Sequence, residues 1–261
     1  MAPAVMTAKK DLAYFSKPEN VFCYYYEHLD ESRQKTYRKL AEGLFSFRPS
    51  ITLRWITPNE IEEIYECLKK DLPAAFFDEG LEMTWWPGLF TVKVRPRYRF
   101  SQQKAESVLE EALNRTEGLI RQCRGKPDLE AETLVNDWLC SNVVYDTEYM
   151  WNLGGSSFEL AGPLLWGRGV CSGISKAGKF LFDLLGIRSL ILNGYVYTAA
   201  GQPGESHSWL MVKIRSPQGS RKAGTSGAQH YHLDITFNLT SKSKRYFNMT
   251  DREALADRVI T

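Results

Sequence analysis

No uninterrupted apolar run in this 261-residue chain is long enough to span a bilayer. Residues 1–20 carry lysines but no apolar core of the kind a signal peptide needs, and they read as a loose leader. There is no CxxC pair. Five widely spread cysteines in a chain this long make neither a disulfide framework nor a structural zinc site, so a reducing, cytoplasmic setting is the expectation. An excess of one charge is missing too, since a formal net charge of +2 argues neither for nor against a nucleic-acid partner. Histidine is scarce: His28, His207, His230 and His232 are the whole set. Internal repeats are absent. What remains is an ordinary globular composition, 43% hydrophobic and 25% charged, with enough chain for a substantial core.

The first half alternates helix and strand signals. Asp30 can cap a helix carrying Tyr37, Leu40 and Leu44. Ile51 to Ile56 alternates like a strand. Thr57-Pro58-Asn59-Glu60 has the form of a capping box with proline at the first helical position, ahead of the apolar stripe Ile61, Ile64, Tyr65, Leu68. A hairpin is predicted across Met83 to Phe100, turning near Pro87-Gly88. A long helix carries Ala105, Leu109, Ala112, Thr116, Leu119 and Cys123 and ends at Gly125 and Pro127. Another runs from about Asp128 to Asn142. The break near Gly125–Pro127 divides an N-terminal α/β extension, 1–125, from a second part, 126–261, although the two can share one core.

The second part changes character. An irregular stretch from Thr147 to Gly169 leads into Gly167-Arg168-Gly169-Val170-Cys171-Ser172-Gly173, after which Ile174, Ala177, Leu181, Leu184 and Leu185 recur at helical spacing up to Gly186. Three strand-like segments follow: Ser189 to Tyr197, Ser208 to Ile214 and Gln229 to Phe237. The polar, glycine-rich segment Ser216 to Ala228 between the last two reads as a mobile hairpin tip.

Cys171 stands out because a thiol at a helix N-terminus faces unpaired backbone N–H groups and the positive end of the peptide dipoles, which favour the nucleophilic thiolate. Cys67, Cys123 and Cys140 fall on or beside apolar helix faces, where a thiol is usually a small, inert hydrophobe. Downstream lie His207 beside Trp209, and Asp234 in a β-rich run. Cysteine, histidine and aspartate are the parts of covalent acyl chemistry: imidazole takes the thiol proton, and the carboxylate fixes its tautomer. If the strands pair as neighbours, His207 and Asp234 become cross-strand partners. The plainer alternative is that His207 merely satisfies a strand end.

These residues closely resemble the bacterial transglutaminase-like proteins. Their usual pattern has a G-V-C-x-G helix start, a G-I entry to the next strand, H-A-W, and Y-x-x-D-x-T. This chain has Gly169-Val170-Cys171-Ser172-Gly173, Gly186-Ile187, His207-Ser208-Trp209 and Tyr231-His232-Leu233-Asp234-Ile235-Thr236. Tyr145-Asp146 and the run from Tyr246 to Asp251 also look like family features, and the likeness spans about Asp137 to Asp251. It implies an α+β protein with a papain-like core, in which a Cys-bearing helix packs on an antiparallel sheet. It also implies Cys171 as nucleophile, His207 as general base and acid, and Asp234 as orienter. A protein or peptide substrate attacked through a thioester follows, with hydrolysis favoured over transamidation and no cofactor. Ser208 departs from the usual alanine, a small change that should leave these roles intact.

Other readings stay open. The Cys171 backbone N–H is one natural oxyanion donor. A second would come from Trp138, Asn142, Tyr145 or Trp166, while Trp209 and His232 belong to the cleft surroundings. Some members of the family keep the fold without turnover and serve as scaffolds. His230, His232 and Asp234 recur at period two, so one strand face could present a metal-binding row. Finally, Lys93, Arg95, Arg97 and Arg99 alternate with Val92, Val94, Tyr98 and Phe100. Such a row could attract nucleic acid, but with no stacking aromatic on the same face it reads as a solvated sheet face. Neither nucleic acid nor membrane is expected as a partner.

Overall fold

A computed structural model describes residues 11–148, 156–197, 201–215 and 229–261. The chain forms two compact units, Met1–Asn114 and Arg115–Thr261, divided inside a long helix. No helix among the described residues is long and apolar enough to cross a membrane.

The first unit holds α1 (Leu12–Phe15), α2 (Tyr24–Glu27), α3 (Glu31–Phe45), β1 (Ile51–Arg54), α4 (Pro58–Asp71), β2 (Asp78–Trp86), β3 (Thr91–Tyr98) and the start of α5 (Gln102–Cys123). Local chemistry starts the helices where the sequence places them. Asp30 accepts the Arg33 N–H at the head of α3, and Thr57 and Glu60 close a reciprocal capping box on α4. Tyr37, Leu40, Leu44, Ile61, Ile64 and Leu68 are fully buried, as their helical spacing requires. The three strands form an antiparallel sheet in the order β1-β3-β2, with a one-turn 3₁₀ segment at Pro87–Leu89 making the hairpin. Val92 and Val94 point into the core, whereas the row containing Lys93 and Arg95 faces outward.

The second unit contains the rest of α5, α6 (Asp128–Asn142), a short parallel pair β4 (Val144–Tyr145) and β5 (Arg168–Gly169), then α7 (Cys171–Leu185). After these come β6 (Ser189–Tyr197), β7 (Pro203–Ile214), β8 (Gln229–Leu233), α8 (Ile235–Ser241), α9 (Asp251–Ala254) and β9 (Arg258–Ile260). The sheet runs β8-β7-β6-β9 and is antiparallel throughout, with α7 packed against β6 and β7. The molecule is thus α+β, with the cysteine-bearing helix on an antiparallel sheet as the resemblance implies. Ile174, Ala177, Phe180, Leu181 and Phe182 make the buried stripe of α7, while Leu184 and Leu185 are only half-buried. Gly186 ends the helix in the left-handed region at φ 70°, a conformation that glycine adopts without strain.

One element differs from the sequence reading. Gln229 to Phe237 is not a single strand: β8 stops at Leu233, and Asp234 caps α8 by accepting the Phe237 N–H at 3.0 Å. The β-branched and aromatic residues Ile235, Thr236 and Phe237 read as strand by propensity, but an N-cap and burial of Ile235 and Thr236 override it. The segment Ser216 to Ala228 lies outside the described residues, as does part of the irregular stretch before Gly169. The described part of that stretch holds a 3₁₀ turn at Ser156–Phe158 and a π-helical turn at Gly162–Trp166.

Candidate active site

Cys171 occupies the first position of α7, with Val170 as N-cap in extended conformation. A wall of backbone holds that helix start in place. The Val170 N–H donates to the Ser157 carbonyl at 3.0 Å, and a Cβ on Gly173 would lie 2.1 Å from the same oxygen. Only glycine allows this approach. Ser157 is itself fixed by its hydroxyl bond to the buried Asp146.

His207 lies within β7, opposite Gly194 of β6. The β7–β8 ladder ends at Leu210 opposite Leu233, so His207 and Asp234 are not ladder partners as the sequence reading supposed. They meet instead because Asp234 projects back from the first turn of α8. His207 Nε2 and Asp234 Oδ2 are 2.8 Å apart, which leaves Nδ1 as the ring nitrogen for the Cys171 thiol, whose titration is linked to that of the imidazole. Phe237 stacks on the imidazole at a centroid distance of 4.5 Å, with Trp209 near-parallel on the ring at 6.0 Å. The imidazole is held in place by packing as well as by bonds. Ser175, one turn into α7, donates its hydroxyl to the Ser208 carbonyl at 3.0 Å and ties the cysteine helix to the histidine strand.

The electrostatics follow from this packing. For Cys171 the largest single effect is burial, which pushes the thiol up. The hydrogen bond and charge of His207, with N–H groups of Ser208 and Ser172 behind them, outweigh it and leave the thiol below its ordinary value. For His207 burial again comes first and favours the neutral ring, but the bonds to Asp234 and Cys171 win and raise it to about 9. Between those two limits the pair is thiolate and imidazolium. The other buried thiols behave oppositely: burial raises Cys67 and Cys123 and takes Cys140 to about 11. None of the five cysteines is in a disulfide.

The sequence reading missed Arg258. This arginine is buried on β9, and its Nη1 donates to Asp234 Oδ2 at 2.7 Å, the same oxygen that faces His207. Its guanidinium lies over Trp209, 5.2 Å from the ring centroid, and over Phe237 at 5.3 Å, while Asp257 takes its Nε at 2.7 Å. Nothing near Arg258 in the chain marks it. Its only signal is register, because β9 lies beside β6 with Val196 opposite Arg258.

The secondary candidates separate. Tyr145 lines a cleft of about 370 Å³ together with His207, Glu205, Tyr197 and Phe237; Cys171 contributes nothing to that wall and stays half-buried. Asn142 is exposed and spends its amide on the Trp138 carbonyl of its own helix at 2.9 Å. Trp166 is exposed, Trp138 is half-buried on α6, and neither lines that cleft. Trp209 is buried, and its Nε1 donates to His232 Nδ1 at 2.9 Å. His232 sits opposite Met211, with Nε2 3.1 Å from Asp251, and burial lowers its basicity, so the neutral ring accepts at one nitrogen and donates at the other. The proposed metal row does not assemble. His230 is exposed, His232 is engaged by Trp209 and Asp251, and Asp234 by His207, Arg258 and the Phe237 amide. Among the described residues no group of three such ligands converges.

No protein-family model matches the chain, and no curated protein matches it. Solved structures similar to it include the following two. One, the crystal structure of a TGase, is 11% identical with a TM-score of 0.36, over 72% of this chain and 50% of that one. The other, "a Putative Cysteine Protease from Cytophaga hutchinsonii", is 14% identical with a TM-score of 0.33, over 60% of this chain and 61% of that one. This chain therefore spans half of the first structure and about three fifths of the second. At these scores neither likeness bears on the reaction.

Proposed function

We propose that this protein is a cysteine enzyme that opens amide bonds of proteins or peptides through a thioester on Cys171. The observation that carries the reading is the line Asp234–His207–Cys171: a 2.8 Å carboxylate–imidazole bond continuing to a thiol held below its ordinary pKa. The thiolate attacks the carbonyl carbon and forms a C–S bond. The resulting oxyanion is stabilised by the Cys171 backbone N–H at the head of α7. The C–N bond breaks, and the departing amine takes the proton that His207 holds at Nδ1. Water then enters, His207 removes its proton, and collapse of the second tetrahedral adduct breaks the C–S bond. Asp234 holds the Nε2 proton throughout, with Arg258 balancing its charge.

Hydrolysis is the outcome we favour over transfer to an amine. Incubation with unfolded casein, with and without a fluorescent primary amine, separates the reactions by product. New N-termini mark hydrolysis, ammonia alone marks deamidation, and label incorporation marks transamidation. Turnover that is lost in Cys171→Ala supports the proposal. A rate unchanged by that substitution removes it.

A further inference from the structure

The end of the first unit's sheet carries an unusual surface. Trp55 is 77% exposed, Leu89 71% and Phe90 56%, and beside them Trp85 and Trp86 are 44% and 42% exposed. They come from three segments that register brings together, because Arg54 and Trp86 both pair with Thr91. The patch is built rather than frayed. The Trp55 N–H donates to the Phe90 carbonyl at 2.8 Å, and the two rings stack with centroids 5.3 Å apart. Both residues are held in the left-handed region, at φ 60° and 44°, which is costly for bulky aromatics and is characteristic of functional sites. Isolated exposed apolar residues need no explanation, but five at one sheet end do.

Two features identify the partner. First, the tip is apolar on both faces: Trp85 lies opposite Val92 on the inner face, whereas Trp86 lies opposite Thr91 on the outer one. Such a tip suits entry into an apolar medium better than docking against a flat patch. Second, cations stand directly behind it. Arg54 is level with Thr91, and Lys93 is two residues further back, roughly 7 Å at strand spacing. Interfacial segments bury their apolar part by about 5–10 Å, so these cations would sit at phosphate level. The first carboxylate along this face is Glu82, further back and opposite Arg95. Glu60 and Glu63 at the start of α4 are taken by Thr57 and Arg33. Among the described residues neither Arg54 nor Lys93 has an ion-pair partner.

We infer that this sheet end is a docking surface for an anionic lipid bilayer. The row of cations legible in the sequence is the rear of that surface, and its apolar front is scattered over three segments, so no single apolar run betrays it. Single-stranded nucleic acid also uses cations and aromatics, but it needs ring faces laid out along a track. Here Trp55 and Phe90 stack on each other.

Co-sedimentation of the full chain with vesicles tests this, using phosphatidylcholine alone and equimolar phosphatidylcholine with phosphatidylglycerol at low salt. Binding to the anionic vesicles should exceed binding to the neutral ones by about thirtyfold, given two cations at the surface. It should weaken with salt, fall at least about fivefold in Lys93→Glu, and fall about fivefold in Leu89→Ser, whose side chain is 71% exposed. Tryptophan emission should shift to the blue on binding. Equal recovery with both vesicles, or binding unaffected by Leu89→Ser and Lys93→Glu, overturns the inference. So does capture by an oligothymidine that needs the same residues, with no capture by vesicles.

Discussion

Asp234 Oδ2 accepts two hydrogen bonds at once, from His207 Nε2 at 2.8 Å and from Arg258 Nη1 at 2.7 Å. The carboxylate that orients the imidazole is thereby itself oriented and charge-balanced, in a place that water does not reach. A buried charge whose partner is removed is expensive. Arg258→Met should lower stability in urea by about 3–5 kcal/mol. A cost below 1 kcal/mol would mean that the arginine does not carry Asp234.

Gly173 should tolerate no side chain. A methyl group there meets the Ser157 carbonyl oxygen at 2.1 Å; that oxygen is backbone and the methyl is fixed directly to the helix backbone, so neither can swing aside. Gly173→Ala is expected to cost about 1–3 kcal/mol or more. It should also slow alkylation of Cys171, because the helix start that carries the thiol must shift. A melting temperature equal to wild type would contradict this.

Glu132 on α6 is buried with one oxygen accepting the Asn248 side-chain amide at 2.9 Å, and the other without a partner among the described residues. Burial, with a smaller contribution from the charge of Asp128, raises its carboxyl to about 8. The native state therefore holds a proton that the unfolded chain releases near the ordinary value. Its contribution to stability is complete below that value and is lost as pH climbs through about 8. Glu132→Gln should flatten this part of the stability curve and raise stability above pH 8 by an amount on the order of a few kcal/mol. Parallel wild-type and variant curves in urea titrations would show that Glu132 does not titrate this way.

Much of this was legible because it is local. Thr57 with Glu60, Asp30, and the glycines around Cys171 mark helix ends through caps and close approaches that short stretches of sequence encode. The Cys171 helix shows this most clearly: its start, apolar stripe and stop all lie within the segment itself. Asp234 was found as a residue but placed in the wrong element, because Ile235-Thr236-Phe237 has strand propensity and only tertiary packing turns it into a helix. Arg258 was invisible for a related reason. Arginine is rarely buried, so a lone one near β9 reads as surface. Its role exists only through the β6–β9 pairing. The apolar sheet end around Trp55, Trp86 and Phe90 likewise belongs to register, not to any run of sequence.

The pairing of Cys171 with His207 is best read through the sulfur. Iodoacetamide labelling followed site by site by mass spectrometry, across pH, reports thiolate at each cysteine. The thiolate appears as pH rises through the lowered Cys171 value, and the imidazolium is lost only as pH passes about 9. At about pH 6 Cys171 should therefore label at least about tenfold faster than Cys67, Cys123 or Cys140, and His207→Ala should move its profile up to that of an ordinary thiol. Labelling of Cys171 no faster than its neighbours, with a profile that His207→Ala leaves in place, would contradict the account.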